Sequence, residues 1–371
     1  MFDELLVISQ GGQLLYSWHS KSKEDDDLDD DLISGFLTAL NNFATQQRGE
    51  DIKSLKLKQT TIIFEKYDEL HQKLTFVATT KNEELIELLH VVLHEVMNQF
   101  INLFQDKLNR EFDGDITEFR EFDDIIENLL INYGLDVLDS TIEKINKEKT
   151  LKSVVFLEPN GGKILYIHAK QYVSKDKISF LVPLLRNSSK LLYLQNLNQK
   201  VGWILLNTIR NEIMLVEVRK NILIVYLYNL EDSMEDTILN LDFFKTEGKY
   251  VDKPKKLGKI FDRIKFNQNI KEIYLVDLLG KIFYKQSLVN DFKYKQYIPE
   301  TISFLTASKK SSKEIFNREL MCSTIGGQDI ATICLNFNNF VLVLIGETTN
   351  FNSFQGIEKT CINIIEQLIL I

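Results

Sequence analysis

The chain has 371 residues, a net charge of −9 and a hydrophobic content of 44%, with 24 Phe. At roughly 100–200 residues per domain, this length predicts two to four domains with sizeable cores. The negative charge argues against extensive nucleic-acid binding. The three cysteines, all in the last third, indicate reduced core thiols and not a disulfide framework. The N-terminus lacks a basic signal segment, and no apolar run approaches ~18 residues, so we expect a cytoplasmic protein.

Residues 1–135 have the pattern of a first domain with the element order ββαβββαα. The spacing of apolar residues predicts strands near 3–9, 13–19, 52–58, 60–66 and 72–79, and helices near 28–48, 82–111 and 116–133. Thr80 and Glu83 form a capping-box pattern at the start of the second helix. The pattern therefore predicts a five-stranded sheet with flanking helices.

Two further segments, 151–247 and 270–371, each have the order ββαβββα. Charged connectors, 140–152 and 248–270, precede them. The strands are predicted at 153–158, 163–168, 201–208, 212–218, 221–228, 271–277, 281–287, 314–323, 328–335 and 339–346, and the helices at 176–196, 232–246, within 292–309 and at 353–369. We therefore predict a second and a third domain.

A short hairpin motif occurs once in each predicted domain. The segment GQLLY at 12–16 returns as GKILY at 162–166 and as GKIFY at 280–284, each time after a short apolar run. A glycine between two such runs is typical of a tight hairpin, because it accepts positive φ without a Cβ clash. The same elements follow each copy, so the chain is predicted to use one domain three times.

This layout resembles the longin and roadblock superfamily. The resemblance is closest in the first domain, whose first strand begins at the N-terminus, whose first helix contains LISGFLTA at 32–39, and whose sheet is followed by two helices. It implies an α+β fold of three tandem longin/roadblock-like domains, each a five-stranded antiparallel sheet with flanking helices. If the helices lie on one face, the other face or a sheet edge is left for partners.

Three longin domains in tandem resemble the tri-longin proteins, which are subunits of two-protein exchange factors for Rab GTPases. The resemblance implies a non-catalytic interaction platform that binds or regulates a small GTPase in membrane trafficking, paired with another longin-domain protein. Guanine-nucleotide exchange would then be an effect of protein binding. The alternative is a structural adaptor or tether subunit of a trafficking complex that contacts no GTPase.

The sequence contains no motif for a catalytic, cofactor or metal site. It has neither a phosphate-binding Gly-x-x-x-x-Gly-Lys-Ser/Thr motif nor a dinucleotide-binding Gly-x-Gly-x-x-Gly motif. His90 and His94 are four residues apart on a predicted helix and could share a metal ion, but no third ligand is evident. Cys334 and Cys361 have apolar neighbours, which favours core packing over nucleophilic chemistry. We therefore predict no enzyme activity, no cofactor and no metal.

Two segments are candidates for partner contacts. The first is the start of the first helix, with Leu28, Asp29, Asp30, Leu32 and Phe36. The acidic run at 24–31 could contact a basic partner or a divalent ion, or it could be a solvated loop that places carboxylates at a helix N-terminus. The second is the lysine-rich connector with Lys253, Lys255 and Lys256, which could meet an acidic membrane surface or be an ordinary soluble linker. Peripheral membrane association therefore stays an open alternative.

Overall fold

The computed structural model describes residues 2–20, 30–69, 73–109, 116–210, 212–229, 270–287, 297–337 and 340–347. The fold is α+β, and the strands pair in antiparallel fashion. Its contacts divide the chain into a first unit, Met1–Glu143 with Leu165–Ile167, and a second unit, Lys144–Ile164 with His168–Ile371. Among the described helices, none has the length and apolar character needed to cross a membrane.

The first unit contains a five-stranded sheet in the order β2-β1-β5-β4-β3. Its strands are β1 Phe2–Ser9, β2 Leu14–His19, β3 Ser54–Lys56, β4 Thr61–Tyr67 and β5 Leu74–Thr80. The helices that follow β2 and β5 are α1 Asp30–Arg48, α2 Ile86–Leu108, α3 Asp123–Asn132 and α4 Leu135–Lys147. The predicted element order therefore holds up to α3, and α4 is an additional helix.

Helices cover both faces of this sheet. On one face, Leu37 of α1 belongs to a buried cluster with Leu6 and Val77. On the other face, the ring of Phe100 in α2 lies 5.7 Å from the ring of Phe76. Phe76 and Val77 are neighbours in β5 and point to opposite faces, and both are fully buried. The expectation of helices on one face alone is therefore wrong for the first unit, and partner contacts must use helix surfaces or sheet edges.

The start of the second helix differs from the capping box that the sequence predicts. Asn82 is the N-cap, and its side-chain oxygen accepts a hydrogen bond from the Glu84 backbone at 3.0 Å. Thr80 lies two residues earlier and accepts a hydrogen bond from the Asn82 backbone at 3.0 Å. A short 3-10 turn, Glu83–Leu85, then leads into α2. The strand runs through Thr80, so the capping function passes to Asn82, two residues beyond it.

The segment after α2 is also more helical than predicted. The predicted helix at 116–133 divides into a 3-10 segment, Ile116–Phe122, and α3. Gly134, with φ +74°, separates α3 from α4, which occupies much of the predicted connector 140–152. Leu138 and Ile145 lie seven residues apart, at two-turn helical spacing, and both are buried. The many charged residues around them conceal this apolar face in the sequence.

The other ten strands form a single sheet, in the order β12-β11-β15-β14-β13-β8-β9-β10-β6-β7. Its strands are β6 Leu151–Leu157, β7 Ile164–Ala169, β8 Trp203–Thr208, β9 Glu212–Val218, β10 Leu223–Asn229, β11 Ile270–Asp277, β12 Ile282–Ser287, β13 Leu320–Gly326, β14 Ile330–Phe337 and β15 Phe340–Glu347. Its described helices are α5 Lys175–Lys190, continued by a π-helical turn Leu191–Asn196, and α6 Ile298–Phe316. The sequence predicts two separate five-stranded sheets here, but the structure joins their strands.

The same arrangement of five strands occurs three times. Counting from the first strand of each set, the order is 2-1-5-4-3 in the small sheet and in both halves of the large one. The hairpin glycines confirm the turn prediction, because Gly12, Gly162 and Gly280 have φ of +86°, +67° and +83°. The division into three domains stays a prediction. The predicted closing helices, 232–246 and 353–369, and most of the connector 248–270 lie outside the described residues.

Helix α6 is longer than the sequence predicts. It extends to Phe316, seven residues beyond the predicted end, and Asn317 closes it with φ +54°. The predicted strand at 314–323 therefore begins only at Leu320. Ser308, Ser311 and Ser312 are fully buried on α6. Small side chains let two helices approach closely, and their polar character hides a packed helix face from a hydrophobicity pattern.

Candidate functional site

The ten-stranded sheet consists of two sets of five strands, each in the order 2-1-5-4-3, and we call each set with its first helix a module. Strand β8 pairs with β13 in antiparallel register, with Thr324 opposite Leu205 and Gly326 opposite Trp203. Helices α5 and α6 pack against each other beside this pair. We call the β8–β13 pair together with the α5–α6 contact the junction. In each module, the junction uses the third strand and the first helix.

Two aromatic side chains close the junction. A Cβ atom on Gly326 would lie 2.0 Å from the Trp203 ring, so only glycine leaves room for this indole. Tyr193 is fully buried, and its hydroxyl donates toward the Ile325 carbonyl oxygen at 2.8 Å. Burial raises the pKa of Tyr193 well above its ordinary value. The phenol therefore stays neutral and acts as a hydrogen-bonded connector between the two halves of the sheet.

The helix contact of the junction has polar links at its surface. The Lys177 ammonium donates to the Glu314 carbonyl oxygen at 2.7 Å and lies 3.3 Å from its carboxylate. The Lys310 ammonium lies 5.4 Å from the centre of the Phe180 ring. Residues early in α5 thus meet residues late in α6, so the two helices run antiparallel. Exposed ion pairs contribute little stability, and the buried face carries the contact.

The corresponding elements of the first unit are β3 and α1. Among the described residues, β3 is the outermost strand of its sheet, next to β4 alone. On α1, three large apolar side chains are exposed: Leu32 by 71%, Phe36 by 61% and Phe43 by 64%. We call these three residues the α1 stripe. The junction pairs the same two elements, a third strand and a first helix, within the second unit.

The α1 stripe follows one side of the helix. Its members stand at positions i, i+4 and i+11, which lie within about 40° of one another at 3.6 residues per turn. Leu37, on the opposite side, is buried against the sheet. Single exposed apolar residues are ordinary, but a row of them with two phenylalanines indicates a contact surface. We therefore take the α1 stripe and the β3 edge as the candidate site.

The structure brings only part of the sequence-predicted interface together. Leu32 and Phe36 lie in the α1 stripe. Asp30 is the first residue of α1, and one of its carboxylate oxygens lies 2.9 Å from the His19 ring, so it faces the sheet. The remaining predicted contact residues lie outside the described residues: Leu28, Asp29, Lys253, Lys255 and Lys256.

Phe43 is exposed in the α1 stripe but is not among the contact residues that the sequence predicts. Two apolar faces overlap in this helix, and positions 32, 36 and 43 form a row separate from 33, 37 and 44. Plotting the helix at 100° per residue separates the two rows. The pattern cannot show which row meets the sheet, because both consist of large apolar side chains.

A second apolar row on α5 and its π-helical continuation was also missed. Phe180, Leu184, Leu191 and Leu194 are exposed and face the same way as one another at helical spacing. We call them the α5 ridge. The sequence predicts the helix but does not show which of its sides is exposed. The second unit thus has its own exposed apolar surface beside the junction.

The two histidines that could share a metal ion lie on α2. His94 pairs with the Glu65 carboxylate through its Nδ1 atom. His90 and His94 line a surface cavity together with Glu65 and Glu87. Within the described residues, neither histidine belongs to a group of three close metal-binding side chains.

The cysteines are predicted to be chemically inert, and this can be tested directly. Cys322 and Cys334 are buried, as the sequence indicates, and Cys361 lies outside the described residues. Burial raises the pKa of Cys334 to about 12, although a hydrogen bond with Ser323 lowers it. We expect no alkylation of Cys334 by iodoacetamide at pH 8 in the native protein and full alkylation after unfolding in urea. Site-resolved mass spectrometry measures this, and rapid native labelling would contradict it.

Comparison with known proteins adds limited information. No protein-family model matches the chain, and no curated protein matches it significantly. Among solved structures, the chain is similar to Myxococcus xanthus MglB, with 19% sequence identity and a TM-score of 0.25, over 31% of this chain and 89% of MglB. It also resembles an uncharacterized protein from Mycobacterium tuberculosis, with 8% identity and a TM-score of 0.14, over 93% of this chain and 95% of that one. These TM-scores are too low to assign a family.

Proposed function

We propose that this protein is a non-catalytic interaction platform of the longin type, which pairs through its first unit with a five-stranded module of another chain. The single observation that carries the proposal is the junction. The chain itself joins two such modules by their third strands and first helices. The first unit exposes the same two elements, with the α1 stripe on its helix.

Covering the β3 edge and the α1 stripe is favourable in free energy for both parts of this surface. An edge strand offers unpaired backbone groups to a second sheet. Burying a Phe or Leu side chain contributes about 1.5–3 kcal/mol each. Pairing with another longin-type module would pair the edge strand and bury the apolar side chains at the same time. The partner in this proposal is another longin-domain protein or a second copy of this chain.

A small GTPase is the regulated partner that we propose for the assembled platform. The support is the element order ββαβββ in all three parts of the chain, together with the resemblance of the first unit to longin domains. The α5 ridge offers a second apolar surface for such a partner. If exchange is accelerated, the platform must bind the nucleotide-free GTPase more tightly than the loaded one, because only a difference in affinity shifts an equilibrium.

Binding to purified small GTPases from the same genome tests this part of the proposal. We expect the chain to bind at least one of these GTPases. Its affinities for the nucleotide-free and the loaded form of that GTPase should differ by about tenfold, equivalent to about 1.4 kcal/mol. Isothermal titration of both forms measures the difference. A Leu184→Glu change in the α5 ridge should weaken that binding, while Leu103→Glu on α2 serves as an exposed apolar control. No detectable binding in either nucleotide state would leave the adaptor or tether as the function.

We further propose that the platform works in the cytoplasm and reaches membranes through its partners. No described helix could span a bilayer. The alternative is direct contact of the lysine-rich connector around Lys253, Lys255 and Lys256 with an acidic membrane surface, where each lysine near the surface would contribute about 1 kcal/mol. A cosedimentation assay with vesicles that contain phosphatidylserine, with and without the partner, distinguishes direct from partner-mediated recruitment.

A further inference from the structure

A cluster of ionisable side chains lies where the start of α1 meets the sheet of the first unit. Glu4 of β1 is directly opposite His19 of β2 and opposite Thr79 of β5, so the three share one rung of the sheet. Asp30 begins α1 and reaches this rung, with its Oδ2 atom 2.9 Å from His19 Nε2. One potential ligand atom from each of Glu4, His19 and Asp30 lies within 4.8 Å of the others.

Glu4 is buried, His19 and Asp30 are partly buried, and the carboxylate oxygens of the cluster are only partly hydrogen-bonded. Glu4 is 5% exposed, and its Oε2 accepts a hydrogen bond from the Thr79 hydroxyl at 3.2 Å. Its Oε1 atom, and Oδ1 of Asp30, are buried without a hydrogen-bond partner within the described part of the chain. Buried carboxylate oxygens normally have partners, because an unsatisfied one costs several kcal/mol of desolvation. Two such oxygens in one cluster point to a missing cation or donor.

The charges in the cluster do not balance by themselves. Glu4 and Asp30 bring two carboxylates together beside the His19 ring, at a place that is buried at Glu4 and partly buried at the other two residues. Carboxylates that share such a site repel each other. A divalent cation would compensate both carboxylates and could take a ring nitrogen of His19 as a further ligand. One ion would therefore satisfy the charge and the orphaned oxygens together.

We propose that Glu4, His19 and Asp30 bind a divalent transition-metal ion, with zinc the best match. One imidazole nitrogen and two carboxylate oxygens suit zinc, which takes them at about 2.0–2.2 Å with four ligands in tetrahedral geometry. Ligand atoms around such an ion lie about 3.3–3.5 Å apart. Small side-chain movements close the present separations, which are at most 4.8 Å. Water or the Thr79 hydroxyl completes the shell.

The bound ion would fix α1 to the sheet at its first residue. Asp30 is two residues before Leu32, the first member of the α1 stripe. Metal binding would thus hold the end of the helix that carries the candidate interface. The metal site does not depend on the proposed function, because it rests on the rung and its burial alone.

Zinc binding to the full-length chain tests this inference. Chelator-treated protein is titrated with ZnCl₂ against a chromophoric competitor, and cobalt(II) replaces zinc for absorption spectra. We expect one high-affinity zinc site per chain and visible cobalt bands of a tetrahedral site. Glu4→Gln and His19→Ala should each weaken zinc binding by at least about 100-fold, since even substitutions of outer-shell residues cost about 10–100-fold. The double variant His90→Ala/His94→Ala is the matched control and should bind zinc as the wild type does.

A second substitution separates loss of the ligand from loss of folding. His19→Gln keeps an amide that can donate to Asp30 but offers zinc a poor ligand, so we expect a folded protein without the cobalt bands. Circular dichroism reports whether each variant folds. The proposal is overturned if the wild type retains no zinc, or if folded His19→Gln and Glu4→Gln bind it as tightly as the wild type. The zinc-binding result does not depend on whether the chain binds a GTPase or a longin-type partner.

Discussion

Replacing Gly326 with alanine is expected to destabilise the second unit by about 3 kcal/mol, the upper end of the range for overpacking a tight site. The new Cβ would lie 2.0 Å from Cε2 and 2.2 Å from Nε1 of Trp203. An indole is rigid, so the ring must leave its place or the strand must shift. Either movement breaks the register between β8 and β13, on which the ten-stranded sheet depends. The junction should therefore weaken more than any other part of the protein.

The two tryptophans make this effect measurable unit by unit. Trp18 lies in β2 of the first unit and Trp203 at the junction, and the chain has only these two. In urea titrations, fluorescence of the Trp18→Phe background reports unfolding of the second unit, and fluorescence of the Trp203→Phe background reports unfolding of the first. Hydrogen exchange follows the junction in the native protein. Gly202→Ala is the control, because its Cβ would make an ordinary 3.6 Å contact with the Gly326 carbonyl oxygen. An unchanged urea midpoint for Gly326→Ala would show that the junction is not closely packed.

Changing both Phe36 and Phe43 to glutamate is expected to abolish pairing of the first unit with its partner module. Each substitution removes a large exposed ring and places a charge in a contact that must be desolvated. If the rings contribute about 1.5–3 kcal/mol each, the dissociation constant should rise by at least about 100-fold. Stability should change little, because both side chains are more than half exposed in the unpaired unit. The effect therefore falls on assembly and not on folding.

Sedimentation and titration together measure this loss. Sedimentation at micromolar concentration detects pairing with a second copy, and calorimetry with purified longin-domain proteins from the same genome detects a different partner. Leu103→Glu is the matched control, since this exposed leucine lies on α2, over the opposite face of the sheet. Wild-type pairing that survives in the double variant would place the interface elsewhere. If the wild-type chain pairs neither with a second copy nor with a longin-domain protein, the proposed surface is refuted.

Local features of the fold are accessible from the sequence because they depend on neighbouring residues. Gly12, Gly162 and Gly280 adopt positive φ, as their position between two apolar runs predicts. Most strands and the helices α1, α2 and α5 lie close to their predicted bounds, since the spacing of apolar residues follows the period of each element. The errors occur where the decisive residues are not hydrophobic. The buried serines of α6 and the charged surface of α4 both conceal a packed helix.

The interface residues show the limit of a periodic pattern. Leu32 and Leu37 are equally apolar, yet one is exposed by 71% and the other is buried. Hydrophobicity does not distinguish them, and only the docking of α1 on the sheet shows which one is buried. Asp30, a predicted partner contact, also contacts His19 on the sheet, which helical spacing cannot show.

The order of most described elements, the three hairpin turns and the repeated strand pattern can be predicted from the amino-acid sequence, because they follow from propensity, glycine geometry and periodicity over a few residues. The joining of ten strands in one sheet, the choice of exposed helix faces and the meeting of Glu4, His19 and Asp30 become visible only in the folded chain. Strand pairing and helix docking join residues far apart in the chain, and their energies depend on shape and burial that no local pattern records.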